Sequence, residues 1–240
     1  MPQHINAPIT TLEYIPRAFP DYSKEALETI VPYVRPPWWT PPHSICVDTS
    51  KDTAEERHKT VVPNQQGIMS IYTDGSAING HVGASAYCPE LQATEVLYLG
   101  SEKTQNNFEA EVTAIKTATD MARKANSTYR EYNIYADSTA AIIATTKPAR
   151  QSGQHAIMEA ITSIEALQRE NPNAKITITW VPSHRAINGN EIADREAKKA
   201  AADNDIRRTA PKRAVLKALR QQVINDEFCD ENNLINESIC

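Results

Sequence analysis

From Gly67 to about residue 201 the sequence alternates β-type and helical runs in the order β-β-β-α-β-α-α-β-α, an order that few folds accept. Ile68 to Asp74 is a β-type run closed by the turn signal Gly75-Ser76, and Val82 to Cys88 and Ala93 to Gly100 are two more. The links between them are short, which makes neighbours of consecutive strands in an antiparallel meander. Residues 107–125 put Val112, Ile115, Ala118 and Ala122 on one helical face. Tyr132 to Asp137 is a fourth strand, followed by a helix through Ala140, Ile142 and Ile143. Residues 153–170 space Ile157, Ile161, Ile164 and Leu167 as a helix does, and Pro172 closes that helix. Lys175 to Val181 is a fifth strand and Asn190 to Ala201 a last helix. Crossovers of the βαβ kind set the later strands parallel to the first, with helices over both faces. The expected fold class is therefore α/β, a mixed sheet of five strands flanked by helices.

The region before this pattern is built differently. Ten of the fifteen prolines fall in residues 1–66, and all seven glycines fall from Gly67 onward. That is the composition of an extended leader attached to a globular domain. A short helix is expected from Ser23 to Val31, stopped by Pro32. Arg35-Pro-Pro-Trp-Trp-Thr-Pro-Pro is too rich in proline for a helix or a central strand. Its two tryptophans are expected to clasp the following domain, an aromatic binding surface being the other reading. Asp48 to His58 is highly charged and either helical or loose, and the tail beyond about residue 205 has one helical stretch from Pro211 to Val223. The expected organisation is a proline-rich leader or connection segment (1–66), an α/β domain (67–203) and a charged, partly helical tail (204–240).

A net charge of −5 argues against a wholly electrostatic binder of nucleic acid, although basic residues gather around Arg195, Lys198, Lys199, Arg207, Arg208, Lys212 and Arg213. Cys46, Cys88, Cys229 and Cys240 are scattered, with neither a Cys-x-x-Cys pair nor zinc-finger spacing, so structural zinc is not expected. The first residues lack a basic region followed by an apolar stretch, and no apolar run approaches bilayer length. The chain is expected to be intracellular, in cytoplasm or nucleus, and neither secreted nor membrane-bound.

Four acids stand at the edges of these elements: Asp74, Glu111, Asp137 and Asp194. Adjacent strands ending in Asp74 and Asp137 present both carboxylates at one sheet edge, and one acid from each of two helices can join them. Carboxylate oxygens suit hard cations such as Mg²⁺ or Mn²⁺. Hydrolysis of a phosphodiester can use two such ions about 4 Å apart, one activating water and one stabilising the leaving oxygen. Taken singly each acid has an ordinary reading: Asp74 as a turn residue, Asp137 as a helix cap, Glu111 and Asp194 as helix-surface charges. Glu109 competes with Glu111, since both stand near a helix start. His184, on a Pro-Ser-His-Arg loop, is either a general acid or a plain surface histidine.

Together these blocks resemble the type 1 ribonuclease H family, especially the RNase H domains of retroelement reverse transcriptases. The matches are TDGS at residues 73–76, AEVTAI at 110–115, YADS at 135–138 and WVPSHRAINGNEIAD at 180–194. The resemblance implies a sheet of order 3-2-1-4-5. It also implies that Asp74, Glu111, Asp137 and Asp194 hold two Mg²⁺ or Mn²⁺ ions, with His184 assisting proton transfer or product release. Glu111 rather than Glu109 stands in the family's Glu-x-x-Ala-Ile pattern. The implied reaction cuts the RNA strand of an RNA–DNA hybrid internally, leaving 3′-hydroxyl and 5′-phosphate ends. Ser76, Asn106, Asn107 and Ser138 flank the acids and are expected to contact the hybrid. Ser183 and the pair Arg185-Ala186 depart from the family, which often has glycine in this loop, and Thr139 stands where some members have Gln. The Arg-Pro-Pro-Trp-Trp-Thr-Pro-Pro segment resembles the link between polymerase and RNase H portions in fungal-type non-LTR retrotransposons, which implies that the chain is part of a larger reverse transcriptase polyprotein or a retained copy. A catalytically silent module that binds nucleic acid is the alternative, and the oligomeric state is not legible.

Overall fold

The computed structural model describes residues 38–61, 67–102, 105–125, 129–149 and 151–202. The helices expected at Ser23–Val31 and Pro211–Val223 lie outside them. The strands are β1 (Ser44–Cys46), β2 (Ile68–Ile78), β3 (His81–Cys88), β4 (Ala93–Ser101), β5 (Glu131–Ala136) and β6 (Lys175–Trp180). The helices are α1 (Lys51–Val61), α2 (Asn107–Lys124), α3 (Thr139–Thr146), α4 (Gln154–Glu170) and α5 (Asn188–Ala202).

All six strands join one sheet in the order β1-β6-β5-β2-β3-β4. The meander β2-β3-β4 is antiparallel, whereas β5 lies parallel to β2 and β6 parallel to β5. The five expected strands keep the order 3-2-1-4-5, but among the described residues the sheet has six strands rather than five. The extra strand, Ser44–Cys46, pairs in parallel with Thr177–Thr179 of β6. Three residues between prolines and charges are too few to carry a period-two signal, so this edge was invisible in the sequence. Ser44 Oγ adds a contact of 3.1 Å to Thr177 Oγ1 beside the ladder.

The two sheet faces are covered unequally. On one face the sheet residues Met69, Ile71, Ile134, Ile176 and Ile178 pack against Val112, Ile115, Ile142, Ile157, Ile161 and Ile164 of α2, α3 and α4. On the other, α5 rests on β2 and β3 through Ala193, Ala197, Ala200 and Ala201, all fully buried. Alanine suits this helix because it costs no side-chain entropy and lets the helix approach closely. Ser85 on β3 reaches across, its hydroxyl donating to the Ala193 carbonyl at 2.6 Å.

Of the two tryptophans expected to act as a clasp, one does. Trp39 packs against the main core and its Nε1 donates to Glu165 Oε1 at 3.1 Å. Trp38 is 81% exposed. Among the described residues no helix is long and apolar enough to cross a membrane.

Candidate active site

The cleft begins with strand register. Thr73 on β2 stands opposite Ala136 on β5, so the residues that follow, Asp74 and Asp137, emerge side by side where the parallel pairing stops, the position at which open α/β sheets place their ligands. The turn expected at Gly75-Ser76 is absent, since β2 runs on to Ile78 in its pairing with β3. Two bonds hold the point where the parallel pairing stops. The Thr73 hydroxyl donates to the buried Tyr135 carbonyl at 3.0 Å, and Trp180 Nε1 donates to the Asp137 carbonyl at 3.0 Å.

Glu111 arrives on α2, whose start is set by a capping box. Asn106 Oδ1 accepts from the Glu109 N–H, and Glu109 Oε2 accepts from the Asn106 N–H, each at 2.9 Å. This satisfies two donors that the helix end would otherwise leave bare. Glu109 is thereby used in the cap, and the helix turn carries Glu111 toward Asp74. Close approach depends on Gly75: a Cβ there would lie 2.4 Å from the Glu111 nitrogen. The Gly75 N–H and the Asn107 side chain both donate to the Glu111 carboxylate.

Asp74, Glu111 and Asp137 each offer an oxygen within 4.8 Å of the others. Burial, then the negative charges of Asp137 and Asp194, push the Asp74 carboxyl up to about 8, with Lys198 opposing. Burial, then Asp74 and Asp137, hold Glu111 well above the usual carboxylate range. Asp137 is raised by burial, against a hydrogen bond from Asn190, while Asp194 raises it further and His184 opposes. Glu111 Oε2 is buried without a hydrogen-bond partner. Three converging carboxylates, one with an orphaned oxygen, fit a hard divalent cation, which supplies the counter-charge they lack.

Asp194 lines the same cleft, of about 440 Å³, but is not among the three converging acids. Its Oδ2 accepts from Lys198 Nζ at 2.7 Å, one helical turn along α5. His184 also lines the cleft. Of the expected hybrid contacts, Asn107 and Ser138 line it and Ser76 and Asn106 do not. Ser138 caps α3 by accepting from the Ala141 N–H at 3.3 Å, and Asn106 is committed to the cap of α2.

Gly75, Ser183, Asn190, Glu191 and Lys198 also line the cleft and were not among the expected site residues, and of these Asn190 touches an acid of the cluster from a buried position. Asn190 is buried, lines the cleft and donates to Asp137 through its amide, while its Oδ1 is buried without a partner. The available signal was helical: Asn190, Ala193, Asp194 and Ala197 repeat at spacing three, one and three, on the face that α5 turns inward.

Fold and cleft together define an α/β protein with a carboxylate cluster fitted to a divalent cation. The RNase H family model matches residues 66–202, more than half of the chain, and the chain belongs to the RNase H family. It is a ribonuclease H enzyme. No curated protein gives a match. Similar solved structures include the protease-reverse transcriptase of prototype foamy virus, at 20% identity and TM-score 0.43, covering 56% of this chain and 21% of that one. RNase H1 from Halobacterium salinarum is 18% identical with TM-score 0.42, covering 55% of this chain and 96% of that one. The N-terminal RNase H domain from Mycobacterium tuberculosis, solved as a fusion with maltose-binding protein, is 20% identical with TM-score 0.43, covering 55% and 92%. The chain thus spans about a fifth of the viral protein and nearly all of the two RNase H domains.

Proposed function

We propose that this ribonuclease H is an endonuclease that hydrolyses the RNA strand of RNA–DNA hybrids, using two Mg²⁺ or Mn²⁺ ions held by Asp74, Glu111, Asp137 and Asp194. The observation that carries the reading is the convergence of Asp74, Glu111 and Asp137 within 4.8 Å. Cations held by these residues would supply Lewis acidity for activating water and stabilising the departing oxygen. The chain's own residues do the rest. Asn107 and Asn190 donate to Glu111 and Asp137 and so orient the two carboxylates. Asp194 joins when its carboxylate leaves Lys198. His184, at the cleft mouth, carries a proton to or from the reacting phosphate. Asn107 and Ser138 meet the sugar-phosphate backbone, with Ser76 and Asn106 farther along the strand and helix that frame the cleft. Telling RNA from DNA requires partners for the 2′-hydroxyl, which amides and hydroxyls supply.

The proline-rich leader (1–66), nuclease domain (67–203) and tail (204–240) are the parts of a retroelement reverse transcriptase product of fungal type. The Arg-Pro-Pro-Trp-Trp-Thr-Pro-Pro segment supports that setting. Such a substrate places the chain inside the cell, in cytoplasm or nucleus.

The test uses a hybrid labelled on either strand. Purified protein with Mg²⁺ is expected to cut the RNA strand internally, to leave 3′-hydroxyl and 5′-phosphate ends, and to spare duplex DNA. Binding of the hybrid without turnover would replace this reading with the silent module.

A further inference from the structure

Helix α1 precedes the residues that match the family, 66–202, yet it touches the loop that carries His184. Arg185, next to that histidine, places its guanidinium 3.1 Å from Asp52 Oδ1 and 3.5 Å from Glu55 Oε2. Asp52 and Glu55 lie on the first two turns of α1, so one cation is held between two anions of a single helix.

The same helix reaches the loop from beneath. His58 Nε2 lies 3.0 Å from the Tyr72 hydroxyl, and its ring meets Tyr72 and Tyr135 edge-on at 5.8 and 5.3 Å. Those tyrosines stack at 4.8 Å. With Val181, Ile187 and Ala193 they form a small core separate from the main one. Val181 and Ile187 are the residues from which the loop departs and to which it returns. The first turn of α5 leans on the stack as well, since a Cβ at Gly189 would lie 2.3 Å from the Tyr72 ring.

The loop requires support. His184 and Ala186 both sit in the left-handed region, at φ 57° and 54°, on either side of Arg185. Side-chain-bearing residues stay there only when the surroundings hold them. We propose that α1 is a brace for the catalytic loop: Asp52 and Glu55 grip Arg185 from outside while His58 seats the aromatic floor, and together they set the position of His184. Arg185, Asp52 and Glu55 are positioning residues in this scheme. It rests on the role given to His184 above.

The experiment is a charge swap in the full chain. Arg185→Glu and the pair Asp52→Arg with Glu55→Arg are each expected to lower kcat on the hybrid about fivefold, with KM changed by less than about twofold. The triple variant, with the charges exchanged, is expected to return kcat to within about twofold of the parent. Amide hydrogen exchange over residues 183–187, which needs no turnover, is expected to quicken in Arg185→Glu and to slow again in the triple variant. Loss without rescue, or a rise in KM alone, would mean that Arg185 touches the hybrid instead and would overturn the brace. A parent chain that cuts hybrid while the variants match its kcat and exchange would overturn it too. A parent that cuts nothing sinks the functional reading, and the exchange comparison still decides whether α1 holds the loop.

Discussion

Asp74 concentrates the energetics of the site in one side chain. Its carboxyl titrates at about 8 in the folded chain against an ordinary 3.8, because it is buried beside Asp137 and Asp194. A group raised in this way favours the folded state fully below its unfolded value and loses that contribution as pH climbs through the folded one. The metal-free protein is therefore expected to lose stability at this residue between about pH 4 and 8. Asp74→Asn removes the titration, and with chelator at pH 8 it is expected to exceed the parent by on the order of 2 kcal/mol in urea unfolding. Millimolar Mn²⁺ is expected to narrow that gap by stabilising the parent. A variant less stable than the parent in chelator would show that Asp74 is not held against like charge. Legibility at this scale was uneven. Asp137 was visible because β5 does stop just before it, whereas Asp74 was found although the turn expected at Gly75-Ser76 is absent and β2 runs on to Ile78. Glu111 was separable from Glu109 only through the resemblance. Asn190 was not visible, since a buried amide that serves one carboxylate has no periodic signature beyond the helix face it shares.

Among the elements, the α/β alternation was plain because isoleucines repeat at three and four in α4 and β-type runs of five or more residues alternate with the helical ones. β1 and the packing of α1 were obscure because their partners are distant in sequence. A strand of three residues is specified by the edge of β6 it joins, and α1 is mostly charged, with only Ala54 buried. His43, just before β1, shows how such a segment is tied down. Its Nε2 lies 2.9 Å from the Thr145 hydroxyl on α3, and burial lowers its pKa to about 4. A depressed folded pKa gives stability that is complete above the unfolded value of 6.5 and is lost as pH falls toward 4. The parent is thus expected to lose on the order of 3 kcal/mol from this group over that window. His43→Gln, which cannot titrate, is expected to lack that part of the slope. Equal slopes from pH 7 to 4 in equilibrium unfolding would remove His43 as the anchor of this edge.

At the scale of the whole molecule, each side of the sheet serves the cleft. The large core under α2 and α4 fixes Glu111, and the alanine face of α5 fixes Asn190 and Asp194. The parallel pair β2 and β5 then brings Asp74 and Asp137 to their common edge. The net charge of −5 belongs partly to this cluster, and cations held there would offset it toward the proposed polyanionic substrate. The central claim, that these acids hold the cations that drive hybrid cleavage, meets its most direct test in one titration. The rate of RNA-strand cleavage is followed against Mn²⁺ concentration for the parent and for Asp137→Asn, with melting curves confirming that both are folded. The parent is expected to show saturable, chelator-reversible dependence, and the variant to fall by about 100-fold or more at every concentration. Cleavage that persists in chelator, or that survives undiminished in the folded variant, would contradict the account.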